Sequence, residues 1–201
     1  MTTIVFDIGN VLLDWDPKAI YRDHFADDAA VDTFFDEIGL FDWNLKQDHG
    51  RSWAEGVECL ARKFPQYADL IARADTDWQR SVPGSIGGTV EILGRLKQAE
   101  VPLYAITNFS AEKWAECTIR FPFLSDSFRG VVVSAHERLI KPDPAIFQLF
   151  LDRYDKAAED CIFIDDSPAN IASAAFIGFD AIQFRTPSAL SVELMERGVL
   201  V

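Results

Sequence analysis

Residues able to do polar chemistry follow four short apolar segments of this 201-residue chain. In chain order they are Asp7, Thr107 with Asn108, Lys141, and Asp165 with Asp166. If the apolar segments are parallel strands of one sheet, the residues after them meet at one edge. Ligands of open α/β sheets bind at that edge, near the switch in strand order. The spacing therefore predicts one crevice with carboxylates, a hydroxyl, an amide and an ammonium group.

Three carboxylates in one crevice repel each other, and this repulsion opposes their ionisation. A hard divalent cation such as Mg²⁺ relieves the repulsion, because it prefers oxygen ligands and binds one or two carboxylates together with phosphate oxygens. Asp7 could then stay ionised and attack phosphorus as a covalent nucleophile. Lys141 would offset charge on the phosphoryl group, and Thr107 with nearby backbone N–H groups would hold its oxygens.

The elements that must position these residues are visible as alternating patterns. Near-continuous apolar runs predict strands buried on both faces of a parallel sheet. They are Thr3–Phe6, Leu103–Ile106, Val131–Val133 and Cys161–Ile164, with a weaker run at Asp180–Phe184. Between them lie three segments whose apolar residues recur at helical spacing, Ile86–Ala99, Pro144–Tyr154 and Ala169–Gly178. Alternation of strands and helices predicts the α/β class, as a doubly wound parallel sheet.

Residues 17–82 do not follow this alternation of strands and helices, because they show helical periodicity and little strand signal. We interpret them as a small all-helical cap inserted after the first strand, which leaves residues 1–16 and 83–201 as the α/β core. Three tryptophans of this stretch, Trp43, Trp53 and Trp78, are expected to pack in the core or between the lobes. Polar residues between 42 and 51 are expected to form a loop between helices. Such loops commonly face the site in this fold class, but a solvated surface role is favoured for each of these residues, Asp48 included.

Composition excludes several classes of function. The formal net charge of −13 disfavours general binding to nucleic acid or to an anionic membrane. Cys59, Cys117 and Cys161 are distant from one another and lack the spacing of a zinc site, so we expect reduced thiols and a cytoplasmic location. The N-terminal segment lacks a basic region before its apolar residues and is not expected to be a signal peptide.

Four motifs together resemble the haloacid dehalogenase-like superfamily of hydrolases. They are FDIGNVLLD, YAITNFS, LIKPDPAIF and FIDDSPANI, in that order and at the ends of the apolar runs. The resemblance implies a Rossmann-like parallel sheet with the strand of Asp7 near its centre. It also implies that the helical insert is a mobile cap that closes over the site and selects the substrate.

The resemblance also implies roles for individual residues. Asp7 would be the nucleophile and a metal ligand, and the backbone carbonyl of Gly9 a second ligand. Asp166 would bind Mg²⁺ directly, with Asp165 beside it. Asn170 is interpreted as a residue that starts a helix rather than as a catalytic group.

Phosphoryl binding is assigned by the same resemblance to Thr107 and Lys141, with Asn108 close to the substrate. One position departs from the family pattern: Gly9 replaces the second aspartate of Asp-x-Asp, which acts as general acid and base. General acid–base catalysis contributes roughly 100- to 10,000-fold. The form Asp-x-Gly-Asn-Val resembles a capped subgroup that includes a bacterial sugar-phosphate phosphatase, so the glycine is compatible with phosphatase activity.

The sequence therefore predicts a magnesium-dependent phosphatase that acts on a small phosphorylated metabolite, such as a sugar phosphate, as a monomer or homodimer. Two alternatives remain. One is a metal-free 2-haloacid dehalogenase, although Asp165 and Asp166 would have no purpose in it. The other is a regulatory protein that binds phosphate but turns over slowly or not at all, as Gly9 suggests.

Overall fold

A computed structural model describes residues 2–199 of the chain. Its centre is a parallel sheet of five strands in the order β3-β2-β1-β4-β5. The strands are β1 (Thr3–Phe6), β2 (Leu103–Thr107), β3 (Gly130–Val133), β4 (Cys161–Asp165) and β5 (Asp180–Gln183). The predicted doubly wound α/β class is confirmed, with β1 in the middle.

Eleven α-helices lie within the described range of 2–199. The first four are α1 (Asp28–Ile38), α2 (Leu40–Asp48), α3 (Trp53–Lys63) and α4 (Ala68–Thr76). The next four are α5 (Gly87–Gln98), α6 (Ala111–Arg120), α7 (Phe123–Asp126) and α8 (Ser134–Glu137). The last three are α9 (Pro144–Tyr154), α10 (Pro168–Ile177) and α11 (Pro187–Glu196). No helix among them is long and apolar enough to cross a bilayer.

The two faces of the sheet carry separate apolar clusters, because side chains alternate along a strand. In β1, Ile4 and Phe6 belong to the cluster that includes α5, α6 and α11. Val5 belongs to the cluster on the other face, which includes α9 and α10. Helices on both faces explain why β1, β2 and β4 are buried along their whole length.

Helices α1 to α4 come between β1 and α5, and their buried side chains join the first of these two clusters. The interpretation of residues 17–82 as a cap, apart from a core at 1–16 and 83–201, stays a prediction. One local expectation was wrong: residues 42–48 lie on α2 rather than in a loop. Leu40, Trp43 and Gln47 recur at helical spacing on its buried side, and their contacts outweigh the polar residues between them.

Strand β1 and helix α9 have the predicted bounds, and the other predicted elements differ by one residue at one or both ends. Strand β2 includes Thr107 and strand β4 includes Asp165, so both side chains belong to the last residue of a strand rather than to the loop beyond it. The ladder with neighbouring strands continues through these positions, where Thr107 pairs with Val133 and Asp165 with Gln183. Backbone pairing thus fixes two of the polar residues.

Candidate active site

The register of the central strands brings Asp7 beside Asp165. Phe6 pairs with Ile164 of β4 on one side and with Ala105 of β2 on the other. The N–H of Asp7 then donates to the carbonyl of Ile164 at 2.8 Å, which continues the ladder by one step. Asp7 therefore follows directly from the pairing of β1 with β4.

Lys141 lies under this pair and is almost fully buried. Its Nζ is 2.8 Å from Oδ1 of Asp7 and 2.6 Å from Oδ2 of Asp165, and it donates to the carbonyl of Ile106 at 2.9 Å. Three oxygen acceptors satisfy the three donors of an ammonium group. The lysine is thus held in one position between the two carboxylates.

Burial and charge act against each other in this cluster. Burial raises the pKa of Asp7 to about 7, Lys141 opposes this rise, and Asp165 adds to it. For Lys141, burial alone would lower the pKa, but Asp7 and Asp165 raise it above its ordinary value. Lys141 therefore stays charged, and further positive charge near Asp7 would favour its ionised form.

Asp7, Asp165 and Asp166 each offer a carboxylate oxygen, and these three oxygens lie within 4.8 Å of one another. Asp166 is half-buried, and burial followed by the charge of Asp165 raises its pKa, while a hydrogen bond from Asn10 opposes the rise. The oxygen donors and the concentrated negative charge suit a hard divalent cation.

The three carboxylates are not equivalent, because Asp165 already has several partners. Its Oδ1 accepts from the N–H of Ser167 at 2.8 Å, and the side-chain amide of Asn170 lies 3.0 Å from both of its oxygens. Asn170 is the third residue of α10, so the helix-start interpretation holds, but the sequence did not reveal its contact with Asp165. These bonds make Asp165 an anchor for Lys141.

Thr107 is buried at the end of β2, and its hydroxyl has no hydrogen-bond partner within the described part of the chain. A buried hydroxyl without a hydrogen-bond partner is destabilising, because it has given up its hydrogen bonds to water. An oxygen atom of a bound ligand would supply the missing bond. This is the expected property of a group that holds a phosphoryl oxygen.

Asn108 lies beside Thr107, but its amide is used within the protein. Its Nδ2 donates to the carbonyl of Lys141 at 2.9 Å, and its Oδ1 accepts from the N–H of Lys141 at 2.8 Å. This pair of bonds joins the end of β2 to the loop that carries the lysine. Substrate contact by Asn108 stays a prediction, since its visible role is to position Lys141.

The loop after Asp7 turns sharply at Asn10, whose φ of 53° is in the left-handed region. Asn10 accepts from the N–H of Trp15 at 3.1 Å, which closes the turn. A Cβ atom built at Gly9 would meet nothing within 4 Å. The position that carries an aspartate in the common family pattern is therefore open space in this chain.

A cavity of about 340 Å³ lies above the carboxylates. Asp7, Gly9 and Asp166 line its floor, and Asn108 and Ser110 line one side. Its walls come largely from the helical insert, through Phe41, Leu45, Trp53 and Trp78. Trp53 also donates from Nε1 to Oγ of Ser110 at 2.7 Å, so it packs between insert and core as expected and lines the cavity as well.

Asp48, at the end of α2, is the other carboxylate that lines this cavity. Its backbone carbonyl accepts from Oγ of Ser134 at 2.5 Å, and its Oδ2 accepts from the amide of Asn44 at 3.0 Å. Burial raises the pKa of Asp48 to about 7, opposed by hydrogen bonds from the Ser110 backbone and Asn44. Sequence reasoning favoured a solvated role for Asp48, since no local signal marks its burial.

Comparison with known proteins agrees with this arrangement. The sequence profile described as haloacid dehalogenase-like hydrolase matches residues 1–178. Sesquiterpene phosphatase astK of Aspergillus oryzae is 29% identical over 198 residues, which cover 96% of this chain and 94% of the relative. Flavin mononucleotide hydrolase 1 of Arabidopsis thaliana is 26% identical over 191 residues, which cover 87% and 76%.

Among solved structures, a HAD family enzyme of Bacteroides thetaiotaomicron superimposes with a TM-score of 0.78 at 19% identity, over 96% of this chain and 98% of that chain. The same enzyme was also solved in complex with magnesium and inorganic phosphate, and that structure has a TM-score of 0.72 at 20% identity, over 92% and 95%. Both similarities cover more than nine-tenths of this chain, so the fold is shared.

Proposed function

The chain belongs to the haloacid dehalogenase-like hydrolase family, and from that premise we propose that it is a magnesium-dependent phosphatase of small phosphomonoesters. We include in the proposal the capped subgroup with Asp-x-Gly-Asn-Val as its first motif and residues 17–82 as the cap. The observation that carries it is the convergence of Asp7, Lys141 and the partnerless hydroxyl of Thr107 below one cavity. The named phosphatase and hydrolase relatives support the same chemistry.

Magnesium would be held by Asp7, Asp166 and the backbone carbonyl of Gly9, with Asp165 behind them. When bound, the cation would favour the ionised form of Asp7 and offset charge on the transferring phosphoryl group. The solved complex of a structural neighbour with magnesium and inorganic phosphate supports this choice of metal. Asp165 would contribute by keeping Lys141 in place, since its oxygens already accept hydrogen bonds.

The reaction proceeds in two displacements. A carboxylate oxygen of Asp7 forms a bond to phosphorus while the bond from phosphorus to the leaving oxygen breaks, and the leaving oxygen takes up a proton. Water then attacks the phosphorus of the aspartyl-phosphate and loses a proton, while the bond from phosphorus to the Asp7 oxygen breaks. This step releases inorganic phosphate and restores the Asp7 carboxylate. Lys141 and Thr107 hold the equatorial oxygens throughout, through a charge and a hydroxyl hydrogen bond.

The dehalogenase alternative explains less of the site. Displacement of halide by Asp7 needs no group of three carboxylates, whereas Asp7, Asp165 and Asp166 bring their oxygens within 4.8 Å of one another. The binding-protein alternative is favoured by Gly9 alone. It predicts retention of magnesium and phosphate without turnover.

The deciding experiment incubates the protein with para-nitrophenyl phosphate and a panel of sugar phosphates, first with magnesium and then with a chelator. We expect phosphate release that requires magnesium and is lost in Asp7→Asn, a change that keeps the size of the side chain. Circular dichroism of the variant controls for folding. Release that persists in Asp7→Asn would contradict the mechanism, and binding of magnesium and phosphate without release would favour the regulatory alternative.

A further inference from the structure

The walls of the cavity differ in chemistry from its floor. Trp15, Phe41, Leu45, Trp53, Trp78 and Phe109 supply apolar and aromatic surface. Phe41 and Leu45 are about half exposed, at 50% and 46%, although both are large apolar side chains on α2. Large apolar side chains that stay open to solvent inside a cleft are typical of a binding surface.

Several of the polar groups on the walls are already hydrogen-bonded to the protein. Both ends of the Asn108 amide bond to the backbone of Lys141, and Oγ of Ser110 accepts from Trp53. The ammonium of Lys113 lies 2.7 Å from Asp75 and 2.8 Å from Glu116. A sugar needs many free donors and acceptors, because each hydroxyl buried without a partner costs free energy.

We propose that the leaving group of the substrate is an apolar alcohol, alkyl, isoprenoid or aromatic, rather than a sugar. This inference rests on the proposed phosphatase function and specifies its substrate class. The floor would take the phosphoryl group and the helical walls would take the hydrocarbon. The cavity of about 340 Å³ has room for on the order of ten water-sized groups at roughly 30 Å³ each, which suits a compact hydrocarbon with a phosphate head.

The test measures kcat/KM for a series of n-alkyl monophosphates from butyl to octyl, beside glucose 6-phosphate and glycerol 3-phosphate. Burial of each methylene should raise kcat/KM roughly fourfold until the cavity is full. Sugar and glycerol phosphates should be poorer substrates than hexyl phosphate. A flat or falling series, with preference for a sugar phosphate, would overturn the inference.

Two variants localise the effect. Phe41→Ser and Leu45→Asn remove apolar wall at positions open to solvent, and both should flatten the dependence on chain length. Phe176→Ser is the matched control, because Phe176 is 85% exposed on α10 and outside the cavity. It should keep the full slope, and equal slopes in all three variants would contradict binding at these walls.

Failure of this inference and failure of the phosphatase proposal give different results. Hydrolysis of para-nitrophenyl phosphate without a rise along the alkyl series would reject only the apolar class. If no ester is hydrolysed, titration calorimetry with the same alkyl phosphates measures directly how their affinity depends on chain length. Affinity independent of chain length would then reject the apolar site as well.

The leaving oxygen needs a proton, and Gly9 has no acidic side chain to supply it. Asp48 lines the same cavity and is 9% exposed. Its side-chain partners are neutral, the amide of Asn44 and the backbone of Ser110, and within residues 2–199 no cation forms a salt bridge with it. A buried carboxyl without a counter-charge keeps its proton at higher pH than usual.

We infer that Asp48 is the general acid of the proposed phosphatase reaction. Its O–H proton would pass to the leaving oxygen as the P–O bond breaks. The resulting carboxylate would take a proton back from the water that attacks the aspartyl-phosphate. The raised pKa of Asp48, about 7, suits both directions of transfer.

The test compares Asp48→Asn on an alkyl phosphate and on para-nitrophenyl phosphate. The alkoxide must be protonated as it leaves, whereas para-nitrophenolate leaves readily without a proton. We expect a loss of roughly 100-fold or more for the alkyl ester and of less than about tenfold for the aryl ester. Asp42→Asn, on the exposed side of the same helix, is the control and should change neither. Equal losses on both esters would assign Asp48 a structural role.

Discussion

Two buried lysines lie near the cavity, Lys141 below it at the edge of the sheet and Lys113 on its wall. Each pairs with two carboxylates. The partners of Lys141, Asp7 and Asp165, have side chains that are 11% and 0% exposed. The partners of Lys113, Asp75 and Glu116, are 39% and 37% exposed.

Under the proposed function, this difference would separate phosphoryl transfer at the sheet edge from substrate selection at the wall. At the edge of the sheet the charges are removed from water, so each charge is stabilised by its oppositely charged neighbours. Removal of any one of them leaves an uncompensated buried charge. On the wall the carboxylates of Asp75 and Glu116 keep contact with water, and Lys113 lies over the rings of Trp53 and Trp78 at 5.1 and 5.6 Å. We therefore expect the wall to tolerate substitution better than the sheet edge does.

The largest expected effect comes from removing each lysine in turn. Lys141→Gln leaves Asp7 and Asp165 buried without their counter-charge, and we expect the free energy of unfolding to fall by about 3–5 kcal/mol. Lys113→Gln should cost only about 1 kcal/mol, because its partners are partly solvated. Urea unfolding of both variants measures the difference. Similar losses would mean that the ion pairs of Lys141 and of Lys113 contribute equally to the free energy of unfolding.

Removal of Asp166 tests whether the sheet edge binds the metal. Asp166→Ala deletes an oxygen ligand, and we expect magnesium affinity to fall by at least about 100-fold, since even groups that only support ligands contribute roughly 10- to 100-fold. Titration calorimetry with magnesium chloride measures this. Asp42→Ala, an exposed carboxylate on α2, is the control for loss of one negative charge. Unchanged affinity in Asp166→Ala would exclude Asp166 as a ligand.

Asp48 is a carboxyl of the wall that lacks the compensation found at the sheet edge. Its pKa rises from an ordinary 3.8 to about 7 on folding, mainly through burial. Folding therefore favours its protonated form, so the stability that depends on it is present below about pH 4 and is lost as the pH rises through about 7. The loss is at most about 4 kcal/mol.

We expect melting temperatures measured from pH 5 to pH 8 to fall less steeply in Asp48→Asn than in the unmodified protein. The asparagine keeps the hydrogen-bonding shape and carries no charge at any pH. Asp7 titrates in the same window, but it is common to both proteins, so the difference between their curves reports Asp48. Parallel curves would show that water compensates the Asp48 carboxylate.

The smallest expected effect is that of Gly9→Asp. The site is open around Gly9, so the variant should fold normally and change activity on alkyl phosphates by less than about tenfold. In the Asp48→Asn variant the same change should raise the rate at least about tenfold, because a new acid then lies near the leaving oxygen. Absence of rescue would argue that a carboxyl at position 9 cannot reach that oxygen.

The sequence predicted the strands well, because strands buried on both faces of a parallel sheet are continuous runs of apolar residues. Asp7, Thr107 and Asp165 could be located from their place at the ends of those runs. The error at residues 42–48 arose because α2 buries only a narrow stripe. Short helices with many polar residues resemble loops when their packing partners are unknown.

By itself, the sequence determined the α/β class, the family motifs and the edge at which charged residues gather. Tertiary structure alone decided that Asn108 bonds to the backbone of Lys141 and that Asn170 contacts Asp165. It likewise decided that Asp48 is buried with no salt-bridge partner among residues 2–199. It also decided the apolar walls of the cavity. The reason is physical: local patterns record which apolar side chains are buried, but the burial and the partners of a polar side chain depend on distant segments that only packing brings near.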